Sequence, residues 1–252
     1  MITLFQKRMH FFYIILFLSA HLSIIGCQVQ ESSTSLFTPP GSNTIKIDEM
    51  ITPRLKHTAS VLEGGKVLIA GGIDSNHNLI DEAELFDPST GKFSSTHALN
   101  AQRSSHTASI LANGKVLIVG GWVTIEGISR SAEIYDPSSG LFANTGNLTE
   151  KRNGHAARLL PSGKVLLING QESIYFSDEG EMFERDFSSA ELYDPTTGIF
   201  TATGSLSGYR NFSTASLLNN DQVLILGGEG SPNFSSGNLI YDPSTEFFTD
   251  EL

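Results

Sequence analysis

RSSHTASILANGKVLIVGGW (residues 103–122) is one of four versions of a phrase that recurs along this chain of 252 residues. The others are RLKHTASVLEGGKVLIAGGI (54–73), RNGHAARLLPSGKVLLINGQ (152–171) and RNFSTASLLNNDQVLILGGE (210–229). The first three versions begin 49 residues apart, and the fourth begins 58 residues after the third. Self-similarity at a fixed period of tens of residues indicates a repeat architecture, in which each copy packs against the next.

Each copy contains four short segments of β-strand character, which we call A to D. In the first copy they are HTASVL (57–62), KVLIAGG (66–72), AELFDP (83–88) and KFSSTHAL (92–99). Short loops such as ANGK join A to B and favour a hairpin. Between C and D, DPSTG predicts a type I turn with Gly in the left-handed position. The fourth copy has Glu246 at that position, so we expect a less well formed turn there.

Four-stranded units repeated about every 50 residues, without sustained helical periodicity, predict an all-β propeller of four antiparallel blades. The Arg-x-x-His-Thr start, the Gly-Gly pair after an apolar strand and the Tyr-Asp-Pro turn before an aromatic residue resemble kelch repeats, as in the central domain of galactose oxidase. The resemblance covers residues 44–252 and implies blades at about 51–99, 100–148, 149–206 and 207–252.

Closure of the ring stays open at the level of sequence. Residues 44–50, TIKIDEM, stand where a D segment would precede the first copy, although the fourth copy has its own D segment. Kelch-type rings commonly have more than four blades. The chain therefore closes as a small ring, remains an incomplete or open ring, or associates with another copy of itself to complete one.

The N-terminal segment has the features of an export signal. Lys7 and Arg8 precede an apolar run at 11–26, which is short for a membrane span. The run ends in IIGC (24–27), which resembles the lipobox of bacterial lipoproteins. The resemblance implies a signal peptide at 1–26, a lipidated Cys27, a flexible tether at 27–43, and attachment to the bacterial cell envelope, with the outer membrane favoured. An ordinary signal peptide or a short membrane anchor is the alternative.

Composition excludes several classes of function. The chain has 16 basic and 27 acidic residues, and removal of residues 1–26, which hold two basic residues, leaves a net charge of −13. Such a surface repels phosphate backbones, so nucleic-acid binding is not expected. Cys27 is the only cysteine, so after lipidation no thiol remains for a disulfide, a metal or the copper site of an oxidase. No metal-binding or hydrolase motif is present, and we expect no metal and no cofactor.

Two groups of residues are candidates for ligand binding. Arg54, Arg103, Arg152 and Arg210 open the four A segments, and the resemblance places them around the central channel. A bond to backbone carbonyls or to a neighbouring acid is the favoured alternative for these arginines. The second group lies in the B–C loops, which differ in length: Trp122 in copy two, and Tyr175, Phe176 and Phe183 in the nine-residue insertion of copy three.

These features predict a lipid-anchored propeller without enzymatic activity, which binds a protein or a glycan through its loops. The alternative is a carbohydrate-active propeller enzyme, of epimerase or oxidase type but without the copper-site cysteine. Acidic residues in the insertion lack the spacing of a calcium loop, so the aromatic residues carry the prediction.

Replacing Cys27 with Ser tests the anchor. Because a thioether needs the sulfur atom, we expect an unprocessed precursor without lipid, seen by intact mass and by membrane fractionation. Ser32→Ala, in the tether, is the matched control and should be processed normally. Normal cleavage and membrane retention of the Cys27 variant would contradict the prediction.

Overall fold

The structure is a computed structural model, and it describes residues 46–124, 127–176, 182–230 and 237–250. The side chains of residues 124 and 173–185 are not part of that description. The predicted signal peptide, Cys27 and the tether lie outside the described residues. Ile45–Leu252 forms one compact unit. All regular elements in the described ranges are β-strands, and these ranges contain no helix suited to crossing a membrane.

The strands follow the four copies in order. Copy one contains β1 (Thr58–Val61), β2 (Val67–Ala70), β3 (Ala83–Asp87) and β4 (Lys92–Ser95). Copy two contains β5 (Thr107–Ile110), β6 (Val116–Val119), β7 (Trp122–Thr124), β8 (Gly127–Ile128), β9 (Ala132–Asp136) and β10 (Leu141–Asn144). Copy three contains β11 (Ala156–Leu159), β12 (Val165–Ile168), β13 (Gln171–Phe176), β14 (Met182–Asp186), β15 (Ser189–Asp194) and β16 (Ile199–Ser205). Copy four contains β17 (Arg210–Asn211), β18 (Thr214–Leu217), β19 (Val223–Leu226), β20 (Glu229–Gly230), β21 (Leu239–Asp242) and β22 (Phe247–Asp250).

Each copy builds one blade, an antiparallel four-stranded sheet in the order A-B-C-D. The four sheets are β1-β2-β3-β4, β5-β6-β9-β10, β11-β12-β15-β16 and β18-β19-β21-β22. The pairs β7-β8, β13-β14 and β17-β20 form small two-stranded sheets that begin at the B–C loops. This arrangement confirms the predicted all-β fold of four-stranded antiparallel blades.

The C–D turn of the fourth blade is formed as in the others, contrary to expectation. Glu246 N donates to Asp242 O at 2.8 Å, the same length as the bond from Gly140 N to Asp136 O. Glu246 adopts the left-handed φ of 59° that glycine takes elsewhere. Asp242 accepts hydrogen bonds from the backbone and the hydroxyl of Ser244, and these bonds hold the turn without glycine.

Apolar cores lie between consecutive blades. We call the face of a blade toward the preceding blade its leading face, the opposite face its trailing face, and the contact between them a junction. The core of the first junction contains Leu62, Leu68, Ala70, Ala83, Leu99, Val116, Ile118, Tyr135 and Phe142. Equivalent cores join blades 2 and 3 and blades 3 and 4. No such core joins blade 4 to blade 1 in the described ranges, so the ring is not closed.

Aromatic pairs of blades 2 to 4 contribute to these cores. Each blade pairs an aromatic residue of strand C with one of strand D, at centroid distances of 4.7 to 4.9 Å: Phe86–Phe93, Tyr135–Phe142, Tyr193–Phe200 and Tyr241–Phe248. The three tyrosine hydroxyls lie within hydrogen-bond distance of a threonine of the preceding blade, in the pairs Thr96–Tyr135, Thr145–Tyr193 and Thr203–Tyr241. These side chains therefore fix the outer part of every junction inside the chain.

The segment ahead of blade 1 lies where a preceding blade would place its D–A connection. Asp48 N donates to Gly91 O at 2.8 Å, and at the third junction Gly204 N donates to Glu246 O at 3.1 Å. Asp48 and Gly204 are equivalent positions of the repeat, as are Gly91 and Glu246. The described part of this segment is not a β-strand, but its position agrees with the D-type segment predicted at 44–50.

Candidate functional site: the loop face

The candidate arginines are buried and hold the blades together from inside. Arg103 is fully buried, and its Nη1 donates to Gly120 O at 3.0 Å and to Ser131 O at 3.3 Å. Its Nη2 donates to Glu133 Oε1 at 2.6 Å. The Arg103 carbonyl accepts from Gly72 N of blade 1 at 2.8 Å. One residue thus ties the end of strand B, the start of strand C and the preceding blade.

The same clamp recurs in blades 1 and 3. Arg54 bonds the carbonyls of Gly71 and Glu82 and pairs with Glu84 at 2.5 Å. Arg152 bonds the carbonyls of Asn169 and Ser189 and pairs with Glu191 at 2.8 Å. We call each such unit an Arg clamp. All four predicted arginines are thus buried, and they serve the scaffold.

The glutamates of the clamps were not among the predicted site residues. Glu84, Glu133 and Glu191 are buried, and each also accepts backbone N–H groups of the D–A connection. Glu133, for example, accepts from Asn100 N at 2.7 Å and Ala101 N at 3.2 Å. The available signal was the Glu two residues before the aromatic of strand C, in AELF, AEIY and AELY. Copy four has Leu239 there, and Arg210 donates to the Gly237 carbonyl instead.

Histidines connect the inner strands of neighbouring blades. His106 Nε2 lies 2.9 Å from Thr58 Oγ1, and His155 Nε2 lies 2.7 Å from Thr107 Oγ1. Burial, reinforced by the nearby charge of Arg103, lowers the pKa of His106 to about 3. Burial and the charge of Arg152 lower the pKa of His155 to about 3 in the same way. Both rings are therefore neutral near pH 7 and serve as uncharged hydrogen-bonding spacers.

The D–A connections and the B–C loops share one side of the blades. Isolated backbone bridges join Leu55 to Ile73, Ser104 to Trp122 and Asn153 to Gln171. In blade 4 the same place is taken by β17 paired with β20. We define the loop face as the strand pairs β7–β8 and β13–β14 together with Leu55, Lys56, Ser105, Gly154 and Phe212.

Phe212 has an unusual backbone conformation on this face. The residue two places after each clamp arginine has a positive φ: 55° in Lys56, 53° in Ser105, 62° in Gly154 and 58° in Phe212. A bulky residue is disfavoured there by about 1–3 kcal/mol. Phe212 is nevertheless 59% exposed, and its N donates to Gly154 O at 2.8 Å. A Cβ on Gly154 would come within 2.9 Å of the Phe212 ring, so the glycine provides the space in which the ring lies.

The copy-three insertion forms a hairpin that blade 4 anchors at its base. Asn211 Nδ2 donates to Gln171 Oε1 at 3.0 Å and to Asp186 Oδ1 at 2.5 Å, one residue on each strand. Tyr175 pairs with Phe183, and Phe176 pairs with Met182, in the backbone register. The side chains of Tyr175, Phe176 and Phe183 lie outside the described residues.

Two further aromatic residues belong to the same loops. Phe187, just after the insertion hairpin, is 4% exposed and has the Arg152 guanidinium 5.5 Å from its ring centre. Phe187 closes the base of the insertion, next to the Arg152 clamp, and is unavailable to a ligand. Trp122 is half-buried and begins β7, beside its backbone partner Ser104.

A cleft on blade 2 offers little chemistry. It has a volume of about 310 Å³ and is lined by Asn100, Ala101, Arg103, Ser131, Ala132, Glu133, Asn144, Thr145 and Asn147. The two charged residues at its base already neutralise each other in the Arg clamp. No group of histidine, cysteine and acidic residues suited to a metal ion occurs in the described parts of the chain.

The buried histidines predict how stability depends on pH. An unfolded histidine takes up a proton near pH 6.5, whereas folded His155 does so only near pH 3. The unfolded state therefore binds more protons below pH 6.5, and the free energy of unfolding should fall as pH falls from 6.5 toward 3.

We expect a weaker fall between pH 6.5 and 4.5 in His155→Gln, since Gln can still bond the Thr107 hydroxyl without titrating. Urea unfolding at several pH values measures the effect. Thr107→Val is the control, because it removes the hydrogen bond but keeps the titrating ring and so should keep the pH dependence. An unaltered pH dependence in His155→Gln would refute the assignment.

Comparisons with known proteins agree with this architecture. The Kelch motif family matches residues 103–148, which is the second copy. No curated protein matches the chain. The solved structure of YjhT is similar over 80% of this chain and 69% of its own, at 14% sequence identity and a TM-score of 0.64. The four-stranded blades thus have the kelch-type β-propeller fold, and the second blade carries a recognisable Kelch motif.

Proposed function

We propose that the protein is an envelope-anchored binding module that holds a protein partner on its loop face. A kelch propeller supports a ligand-binding role in general, because a rigid scaffold presents variable loops. The observation that carries the proposal is Phe212, a large apolar side chain exposed in a strained conformation.

Strain at an exposed position calls for a reason other than stability. Glycine occupies the equivalent position in blade 3 and removes the strain there, so the repeat tolerates the simpler solution. Phe212 gains little from burial, since 59% of it stays exposed. Strained residues that persist in a fold cluster at binding sites. A partner that covers the ring would recover the apolar burial that the free protein lacks.

Other apolar surface lies on the same face. Leu55, next to the left-handed Lys56, is 63% exposed, and Trp122 is half-buried. The hairpin that carries Tyr175, Phe176 and Phe183 starts beside Gly154, against which the Phe212 ring lies. Aromatic and aliphatic side chains at the centre of an interface are typical anchors for a protein partner.

The Arg clamps supply no comparable surface. Arg103 and Arg152 are fully buried, and their guanidinium groups already bond carbonyls and a carboxylate. We therefore assign the arginines to the scaffold and the ligand to the loops. The buried glutamates are engaged in the same way, so nothing in the described residues favours the enzymatic alternative.

The anchor completes the proposal. Lipidation of Cys27 would hold the propeller to the cell envelope, most simply at the outer membrane, and residues 28–43 would serve as a tether. This part rests on the sequence pattern, and the Cys27→Ser variant tests it separately from binding.

Phe212→Gly separates binding from stability. Glycine adopts the left-handed conformation without strain, so the melting temperature should stay the same or rise. Binding should weaken by about tenfold or more, as when an interface anchor is removed. Phe247→Ser is the matched control, because Phe247 is 69% exposed on strand D of the same blade and away from the loop face.

The assay uses a photo-reactive benzoylphenylalanine at position 212 or 247 in bacterial cells, with cross-linked proteins identified by mass. We expect a defined protein adduct from position 212 and none from 247, and loss of retention of that protein on immobilised Phe212→Gly. A glycan array run in parallel tests the glycan alternative. Binding that is unaffected by Phe212→Gly, or binding to the array alone, would contradict the proposal.

A further inference from the structure

The two end blades present the two halves of a junction that the chain forms three times internally. On the trailing face of blade 4, Leu226 is 36% exposed and Leu224 and Ile240 are half-buried. Their counterparts in blade 3, Ile168, Leu166 and Leu192, are 0 to 5% exposed within the third junction. The trailing face of blade 4 thus carries the apolar residues of a junction without a blade to cover them.

The leading face of blade 1 is likewise less buried than the equivalent face of blade 2. Val67, Phe86 and Phe93 are half-buried. The equivalent residues of blade 2, Val116, Tyr135 and Phe142, are 0 to 9% exposed because blade 1 covers them. An apolar face of this kind is normally covered in a soluble protein.

Polar residues on the two end faces also match each other, as they do at the internal junctions. The first two junctions use a Thr–His pair, Thr58 with His106 and Thr107 with His155. The third lacks both partners, because Ala156 and Ser213 replace them. Blade 4 nevertheless carries Thr214 at the threonine position, and blade 1 carries His57 at the histidine position. The pair missing from the third junction is thus available, one member on each end face.

The backbone of blade 4 leaves matching space. An added Cβ at Gly71 or Gly120 would lie 2.5 Å from the arginine carbonyl of the next blade. Gly227 has the same conformation, with φ of 64°, but no atom of the described part of the chain lies within 4 Å of such a Cβ. The carbonyl of Arg54 is the group that would fill this space if blade 1 of another chain followed blade 4.

Blade 1 also brings its own connecting segment to such a junction. Asp48 N bonds Gly91 O, and Glu84 accepts from Ile51 N and Thr52 N. These bonds reproduce the way in which Glu133 holds the D–A connection between blades 1 and 2. The polar Thr–Tyr pair of the internal junctions is replaced by two apolar residues here. Ile47 stands at the threonine position, and Phe86 stands at the tyrosine position and has no hydroxyl. The new junction would therefore be apolar at its outer part.

From these observations we propose that two copies of this chain assemble head to tail, with blade 4 of each packed on blade 1 of the other. Heterologous contacts of this kind produce a closed ring when the rotation allows it. Propellers have about four to eight blades, so two copies of four blades form the largest ring in that range. The pairs Thr214–His57 and Gly227–Arg54 are the specific contacts between copies.

Mass and cross-linking test the assembly on the full chain in mild detergent. Sedimentation corrected for bound detergent should give twice the chain mass. Leu226→Asp and Gly227→Asn should each give the mass of one chain with an unaltered circular dichroism spectrum, because Leu226 lies on the uncovered face and Asn tolerates the left-handed φ of Gly227. Ile199→Asp is the matched control, since Ile199 is 55% exposed in an internal blade, and it should stay dimeric.

Thiol cross-linking identifies the contact. In a Cys27→Ser background, His57→Cys with Thr214→Cys should react with a short bifunctional thiol reagent to give a band of two chains. The equivalent internal pair, Thr107→Cys with His155→Cys, should link within one chain and leave the mass of the band unaltered. A single-chain mass for the unaltered protein would overturn the proposal. So would a 57–214 link confined to one chain, which indicates a closed four-bladed ring, or a ladder of ever larger assemblies.

Discussion

The buried arginine at the start of each inner strand is the constraint on which the rest of the propeller depends. In blades 1 to 3 its guanidinium joins the end of strand B to the start of strand C. The carbonyls of Arg103 and Arg152 also accept the N–H groups of Gly72 and Gly121 in the preceding blade. A charge buried in this way needs a countercharge and hydrogen bonds close by. Glu133 supplies the countercharge and holds the D–A connection with its remaining lone pairs. The arginine and its glutamate therefore fix three features at once: the positions of strands B and C, the contact with the preceding blade and the path of the D–A connection.

The internal role of the Arg clamps limits where a ligand can bind. Because the clamps of blades 1 to 3 use their polar groups internally, these groups belong to the scaffold, and a ligand is left with the loops and with the residue two places after each arginine. Blade 4 departs most from the pattern. It replaces the glutamate with Leu239 and the histidine with Ser213, and it has Phe212 at the left-handed position that Lys56, Ser105 and Gly154 occupy in the other blades. The departures occur on the blade that anchors the insertion hairpin through Asn211, so the specialised blade and the specialised loop adjoin.

The fold could be predicted from the sequence because its signals repeat in one order: the aromatic of strand C occurs in all four copies, and the glycine pair after strand B occurs in three of them. The residues of the candidate site were less predictable from the sequence. The four arginines were recognised by recurrence, but their partners, Glu84, Glu133 and Glu191, lie about 30 residues or more from them and adjoin them only across strands B and C. Phe212 occurs once, and its significance depends on a backbone angle and on the space beside Gly154, which no pattern of residue types reveals. The turn at Glu246 was misjudged because the Asp–Ser hydrogen bonds that shape the other turns also form here, and Glu246 adopts the left-handed φ in place of glycine.

A double-mutant cycle on Arg103 and Glu133 tests the central role of the clamp most directly. Arg103→Met leaves a buried carboxylate without its partner and should lower the free energy of unfolding by about 3–5 kcal/mol. Glu133→Leu copies the residue that blade 4 has at this position. The double variant should be less destabilised than the sum of the two single variants by about 1 kcal/mol or more, measured by urea unfolding. Additive effects, with a cost of less than about 1 kcal/mol for Arg103→Met, would contradict the claim that the buried pair organises the blade.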